Sequence, residues 1–159
     1  MSKRYRFTKQ DFEILQNFID SYVESEEPID LHKSYRFECS PFDNEIYISN
    51  KRVNKTDVQF KKWYEMQPEY TPINITFLSI LHEIGHIMTR DQETLDNRDL
   101  QENIYNFLEE QKIITNEEHN FAYFSIPCER RATMWGVEFY KDNEELCKQI
   151  IEKINLENF

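Results

Sequence analysis

Two histidines and a glutamate fall within five residues in the segment His82-Glu83-Ile84-Gly85-His86. On a helix the two imidazoles, four positions apart, project about 40° from one another on one face, so both can reach a single tetrahedral ion. Glu83, one residue on, can face the open coordination position and take a proton from a water whose pKa zinc lowers to about 7. The spacing therefore predicts Zn2+ as cofactor, His82 and His86 as metal ligands and Glu83 as catalytic base. Ordinary helix histidines are the plainer explanation. Against it, the run from Ile73 to Met88 is apolar on nearly every side of a helical wheel. Burying two imidazoles and a carboxylate there without partners would cost several kcal/mol. An ion satisfies all three, directly or through its water.

A catalytic zinc needs a third protein ligand and an open position. The chain offers Glu129, His119, Asp91, Glu93, Asp96, Asp99 and Glu102. Glu129 is preferred, because it opens a predicted helix whose face at 129, 132, 133, 136 and 140 reads Glu, Ala, Thr, Gly, Tyr. Such a face is small near the carboxylate and lets a second helix lie close. His119, in a polar segment beside Glu117 and Glu118, is the rival ligand, and Asp91, Glu93, Asp96 and Asp99 fit a charged loop. The chain has two glycines, Gly85 and Gly136, and both fall inside predicted helices. Each costs about 1 kcal/mol relative to Ala there, so something must compensate. The expectation is that the motif helix and the Glu129 helix pack together at these two positions, with the ion held near the contact.

The elements that must position these residues follow from periodicity and capping. Thr8 and Asp11 resemble an N-cap with an acidic first turn, and Phe12, Leu15, Phe18, Ile19 and Tyr22 predict a helix over 9–24, stopped before Pro28. Two extended segments follow, Tyr35 to Cys39 and Glu45 to Ser49, and Ser40-Pro41-Phe42-Asp43-Asn44 between them predicts a hairpin. Thr56 or Asp57 starts a helix through Trp63 and Met66, closed by Pro68 and Pro72. The motif helix comes next, then a polar loop from Asp91 to Asp99, and a helix marked by Leu100, Ile104, Phe107, Leu108 and Ile113. Asn116 to Asn120 reads as a break. Pro127 in a first turn opens a helix from Cys128 to about 141, and Asp142 or Asn143 caps a last one to about 156. One domain over 1–159 is expected, since this length buries a core without disulfides or repeats.

Composition narrows the function classes. Hydrophobic residues make up 39% and aromatics 14%, so a mean hydropathy of -0.78 reflects a charged surface and not a missing core. With 30 acidic against 19 basic residues, the net charge of -11 repels nucleic-acid phosphates and anionic lipid headgroups. No nucleic-acid partner and no membrane partner are expected. Cys39, Cys128 and Cys147 form no CxxC pair and are read as reduced, mostly core thiols. The basic start Met1-Ser2-Lys3-Arg4 leads into polar, amphipathic sequence and no apolar signal core, so a cytoplasmic location is expected.

With His82 to His86, the downstream Glu129-Arg130-Arg131-Ala132 and the extended Ile46-Tyr47-Ile48-Ser49-Asn50, the chain resembles zincins of the ImmA/IrrE metallopeptidase type over roughly residues 45–140. In that family a strand ending near an Asn precedes an HExGH helix, and a later Glu-x-x-Ala helix supplies the third ligand, as in gluzincins. The family's usual Glu-x-Glu-Ala-Asn is here Glu129-Arg130-Arg131-Ala132-Thr133. The resemblance implies an α+β fold, a mostly helical minimal zincin with a small antiparallel sheet packed on the active-site helix. It also implies a site-specific endopeptidase cleaving a protein or peptide substrate, such as a repressor.

The substrate would lie extended along an exposed strand, for which Glu45 to Asn50 is the expected edge, with Tyr47, Ile48 and Ser49 in contact. Tyr123, Tyr140, His119 and Arg130 are the eligible oxyanion donors. The alternative is a non-catalytic zincin-fold binding module acting on a basic partner, against which the intact Glu83 argues. A DNA-associated metalloprotease is disfavoured by the charge.

Overall fold

In the computed structural model, which describes residues 7–49, 55–95 and 98–156 (side chains at 55, 56 and 93–95 excepted), Thr8 caps α1 (Lys9–Tyr22). Its hydroxyl accepts from the Asp11 N–H at 3.1 Å, and the Asp11 carboxylate accepts from the Thr8 N–H at 2.8 Å. This reciprocal pair satisfies two N–H groups that a helix start leaves orphaned. Leu15, Phe18 and Ile19 then bury one face.

The sheet departs from expectation in two ways. The predicted hairpin is present, with β2 (Glu38–Ser40) running through a single 3-10 turn at Pro41–Asp43 into β3 (Glu45–Ser49), antiparallel to it. An unpredicted strand, β1 (Asp30–Ser34), pairs parallel with β3, so the three-stranded sheet is mixed and not antiparallel. The sequence of β1, Asp-Leu-His-Lys-Ser, lacks apolar alternation because its support is not hydrophobic. The Gln16 side chain on α1 donates to the Ile29 carbonyl at 2.8 Å and accepts from the Leu31 N–H at 2.9 Å, mimicking a backbone partner. The strand order β1-β3-β2 puts β3 in the middle. The expected substrate edge is therefore not an edge: Tyr47 is paired on both sides, Ile48 and Ser49 are paired with β1 and buried, and the sheet's edges are β1 and β2. Asn50, expected to end that strand, lies outside the described residues.

After α2 (Lys55–Glu65) the chain enters α3 (Ile75–Met88), capped by the Asn74 side chain, which accepts from the Phe77 N–H at 3.0 Å. Twelve of its fourteen residues are buried, as an all-round apolar helix requires. The sheet packs on one side of it and α6 (Pro127–Asp142) on another. Arg90, just past its end, donates to the Pro41 carbonyl at 3.2 Å and to the Asn44 side chain, clamping the β2–β3 turn to the end of α3.

A 3-10 segment (Arg90–Leu95) leads to α4 (Arg98–Glu110), α5 (Asn116–Phe124), α6 and α7 (Glu144–Lys153). Residues 116–120, expected as a break, instead start α5 through a second reciprocal cap: Thr115 accepts from the Glu118 N–H at 3.1 Å, and Glu118 from the Thr115 N–H at 3.2 Å. Among the described residues no helix is long and apolar enough to cross a membrane. The fold is α+β and mostly helical.

Candidate metal centre

The close contact of α3 and α6 builds the site. A Cβ placed on Gly85 would stand 2.3 Å from the Ala132 carbonyl oxygen and 2.9 Å from its carbon. These are backbone atoms that no side-chain rotation can move, so only glycine permits the approach. At Gly136 an added Cβ would meet the Leu81 Cβ at 2.9 Å and a Leu78 methyl at 3.3 Å. The small face expected on α6 is the one that is buried, comprising Glu129, Ala132, Thr133, Gly136 and Tyr140.

Across this seam the three expected donors meet. His82 Nε2 lies 2.9 Å and His86 Nε2 3.0 Å from the same Glu129 oxygen, Oε2, and the two nitrogens are 3.1 Å apart. For a tetrahedral ion with bonds of about 2.0–2.1 Å, donor separations are roughly 3.3 Å. The triangle is within a few tenths of an ångström of that size. His82, His86 and Glu129 form a largely buried group that could hold a metal.

The hydrogen bonding fits the same conclusion. The Thr133 hydroxyl lies 3.2 Å from the Glu129 carbonyl, to which it can donate, and 2.8 Å from His82 Nδ1, from which it can then accept. With a hydrogen on Nδ1 held in this way, His82 Nε2, 2.9 Å from the Glu129 oxygen, is the nitrogen free to serve a metal. Holding the far nitrogen is how proteins orient metal-binding imidazoles.

The two Glu129 oxygens are divided. Oε1 accepts from the Tyr123 hydroxyl at 2.9 Å, with the Arg98 guanidinium 3.9 Å away, which leaves Oε2 to the histidines. Burial alone would raise the Glu129 pKa, but the hydrogen bonds from His82 and His86 overcome it and hold the carboxyl well below its usual range. Glu83 is also buried and behaves oppositely. Burial raises its pKa, against the pull of His82 and His86. Tyr123 is pushed up by burial and by the Glu129 charge, so its hydroxyl keeps its proton as a donor.

These groups floor a cleft of about 540 Å³. One wall comes from the β2 region, Arg36 to Cys39, and another from Arg98 and Glu102 on α4 and Tyr123 on α5. Asp57, Phe60 and Phe124 complete it. Phe60 meets His82 edge-on, with ring centroids 6.1 Å apart, an apolar support that helix periodicity does not single out.

The remaining candidates lie elsewhere. His119, on α5 with its side chain 15% exposed, has Nδ1 2.6 Å from Oε2 of Glu109 on α4 and is not part of the triangle. Of the four proposed oxyanion donors only Tyr123 lines the cleft, since Arg130 pairs with Glu69 and Tyr140 packs toward Lys148 and α7. Asp91 and Asp99 are exposed, and Glu102 reaches the rim. Asp96 and the Glu93 side chain lie outside the described residues. Tyr47, Ile48 and Ser49 do not line the cleft. Sequence reasoning missed Arg98 and the contact of the Thr133 hydroxyl with His82 Nδ1; the latter had a signal, a hydroxyl one helical turn after the carboxylate. Comparison of the chain with protein-family models, curated proteins and solved structures found no match.

Proposed function

We propose that the chain is a zinc-dependent endopeptidase of the zincin type, as its resemblance to ImmA/IrrE metallopeptidases implies, acting on a protein or peptide. The observation that carries this reading is the donor triangle of His82, His86 and Glu129 at the floor of a cleft that Glu83 also lines. Two imidazoles and one carboxylate with access from a cleft are the ligand set of catalytic zinc, whereas structural zinc is closed by four protein ligands. Zinc held there would supply Lewis acidity and a water of lowered pKa.

Glu83 takes the proton of the attacking water and passes it to the leaving amine. Its burial suits this role, because the raised pKa makes it a stronger base than a solvated carboxylate. The Tyr123 hydroxyl and the Arg98 guanidinium are the cleft groups suited to a developing oxyanion. An extended substrate would pair with β2, the sheet edge beside the cleft, and not with β3.

The test is Glu83→Gln. The variant should bind zinc as the parent does, by metal analysis, and cleave a mixed peptide library about 10²–10⁴-fold more slowly, by mass spectrometry. Cleavage at the parental rate would overturn the assignment of the base. Zinc binding with no cleavage by the parent would favour the non-catalytic binding module instead.

A further inference from the structure

A second set of metal donors stands on the outer face of the β1–β3 ladder. In the parallel register Asp30 is aligned with Glu45 and His32 with Tyr47. Side chains alternate along a strand, so Asp30 and His32 share one face of β1, and Glu45 and Tyr47 share the face of β3 opposite the fully buried Ile46 and Ile48. One ligand atom from each of Asp30, His32 and Glu45 lies within 4.8 Å of the others, and His32 Nε2 is 3.6 Å from Glu45 Oε1.

Two features point to a cation here. Like charges aligned on neighbouring strands are destabilising, yet Asp30 and Glu45 are aligned. Tyr47 also orients both other donors. Its ring stacks on His32, with centroids 5.1 Å apart and planes 25° from parallel, and its hydroxyl donates to Glu45 Oε2 at 2.8 Å, leaving Oε1 toward the imidazole.

We propose that Asp30, His32 and Glu45 form a second divalent-metal site of the zinc class. An imidazole with two carboxylates suits a borderline transition ion, whereas calcium and magnesium take oxygen ligands alone. Asp30 is exposed and His32 and Glu45 are 43% and 35% exposed, so this ion exchanges with solvent and binds more weakly than one in the buried triangle. It ties β1 to β3 on the side of the sheet remote from β2 and the cleft.

The experiment is equilibrium dialysis of the full chain against zinc, with bound metal counted by mass spectrometry. The parent should take up two ions with distinct affinities. His32→Ala should lose the weaker and keep the tighter, and Asp30→Asn or Glu45→Gln should weaken that same ion about tenfold or more. A variant with both His82→Ala and His86→Ala should keep the weaker ion. Unchanged stoichiometry and affinity in His32→Ala would overturn the second site and leave the first standing. A single ion lost from His32→Ala and kept in the double variant would remove the first and leave the second.

Discussion

The α3–α6 seam and the β1–β3 ladder each bring histidine and carboxylate together, but by different means. In the seam, His82, His86 and Glu129 are fixed by backbone contact at Gly85, by small residues on α6 and by the Thr133 hydroxyl. In the ladder, Asp30, His32 and Glu45 are fixed by strand register and one tyrosine, with solvent on the open side. Burial makes the difference. Polar groups buried in a low dielectric must be satisfied by one another or by an ion, whereas exposed ones are relieved by water. The seam, if it holds an ion, therefore gains more from it than the ladder would, and its geometry should tolerate change less well than the ladder's.

The sharpest way to break the comparison is Gly85→Ala. The new methyl would collide with the Ala132 carbonyl, so α3 and α6 must separate. Stability should fall by about 3 kcal/mol, the upper end for overpacking, and zinc should be lost. Gly136→Ala would meet the Leu81 Cβ at 2.9 Å, an atom fixed to the backbone, but gains about 1 kcal/mol of helix propensity, so it should destabilise less than Gly85→Ala, by about 1–2 kcal/mol. Thermal melts and metal analysis check both. Full zinc content and stability in Gly85→Ala would show that the close approach is not required.

Next in size is Thr133→Val, which keeps the shape and removes the acceptor for His82 Nδ1. Zinc affinity should drop about 10–100-fold, measured by competition with a chromophoric chelator. In the ladder, His32→Ala without metal should move stability by no more than about 0.5 kcal/mol, as an ordinary surface change does. A larger loss in a urea melt would mean that the stacked imidazole is structural. The smallest effect is kinetic. Burial pushes the Cys147 thiol up to about 12, so it holds its proton at pH 8 and should resist alkylation. Cys39, partly exposed in the cleft wall, should react first, and zinc-free and zinc-loaded samples followed by mass spectrometry would show it.

Much of the site was legible because its signals are local. The spacing of His82 and His86 puts them on one helical face whatever surrounds them, and the glycines gain meaning from sitting in helices. Glu129 was reachable because Ala132, Thr133 and Gly136 mark a face that accepts a close neighbour. The strand β1 was illegible, since its support comes from Gln16 and from the β3 ladder, neither of which leaves an apolar period. Helix α5 is a different failure. Its Thr115 and Glu118 cap was readable, but the polar run Asn116 to Asn120 outweighed it, and α5 is the element that delivers Tyr123 to the cleft.

By itself, the sequence determined where most helices start, through caps and prolines acting within a turn, and which side chains share a face. Tertiary structure alone decided that Glu129 meets both imidazoles while His119 pairs with Glu109, and that β2 and not β3 is the edge beside the cleft. The reason is range. Capping and periodicity act over three or four residues, whereas a donor triangle spanning positions 82 to 129 and a strand order set by pairing exist only once distant segments are packed together.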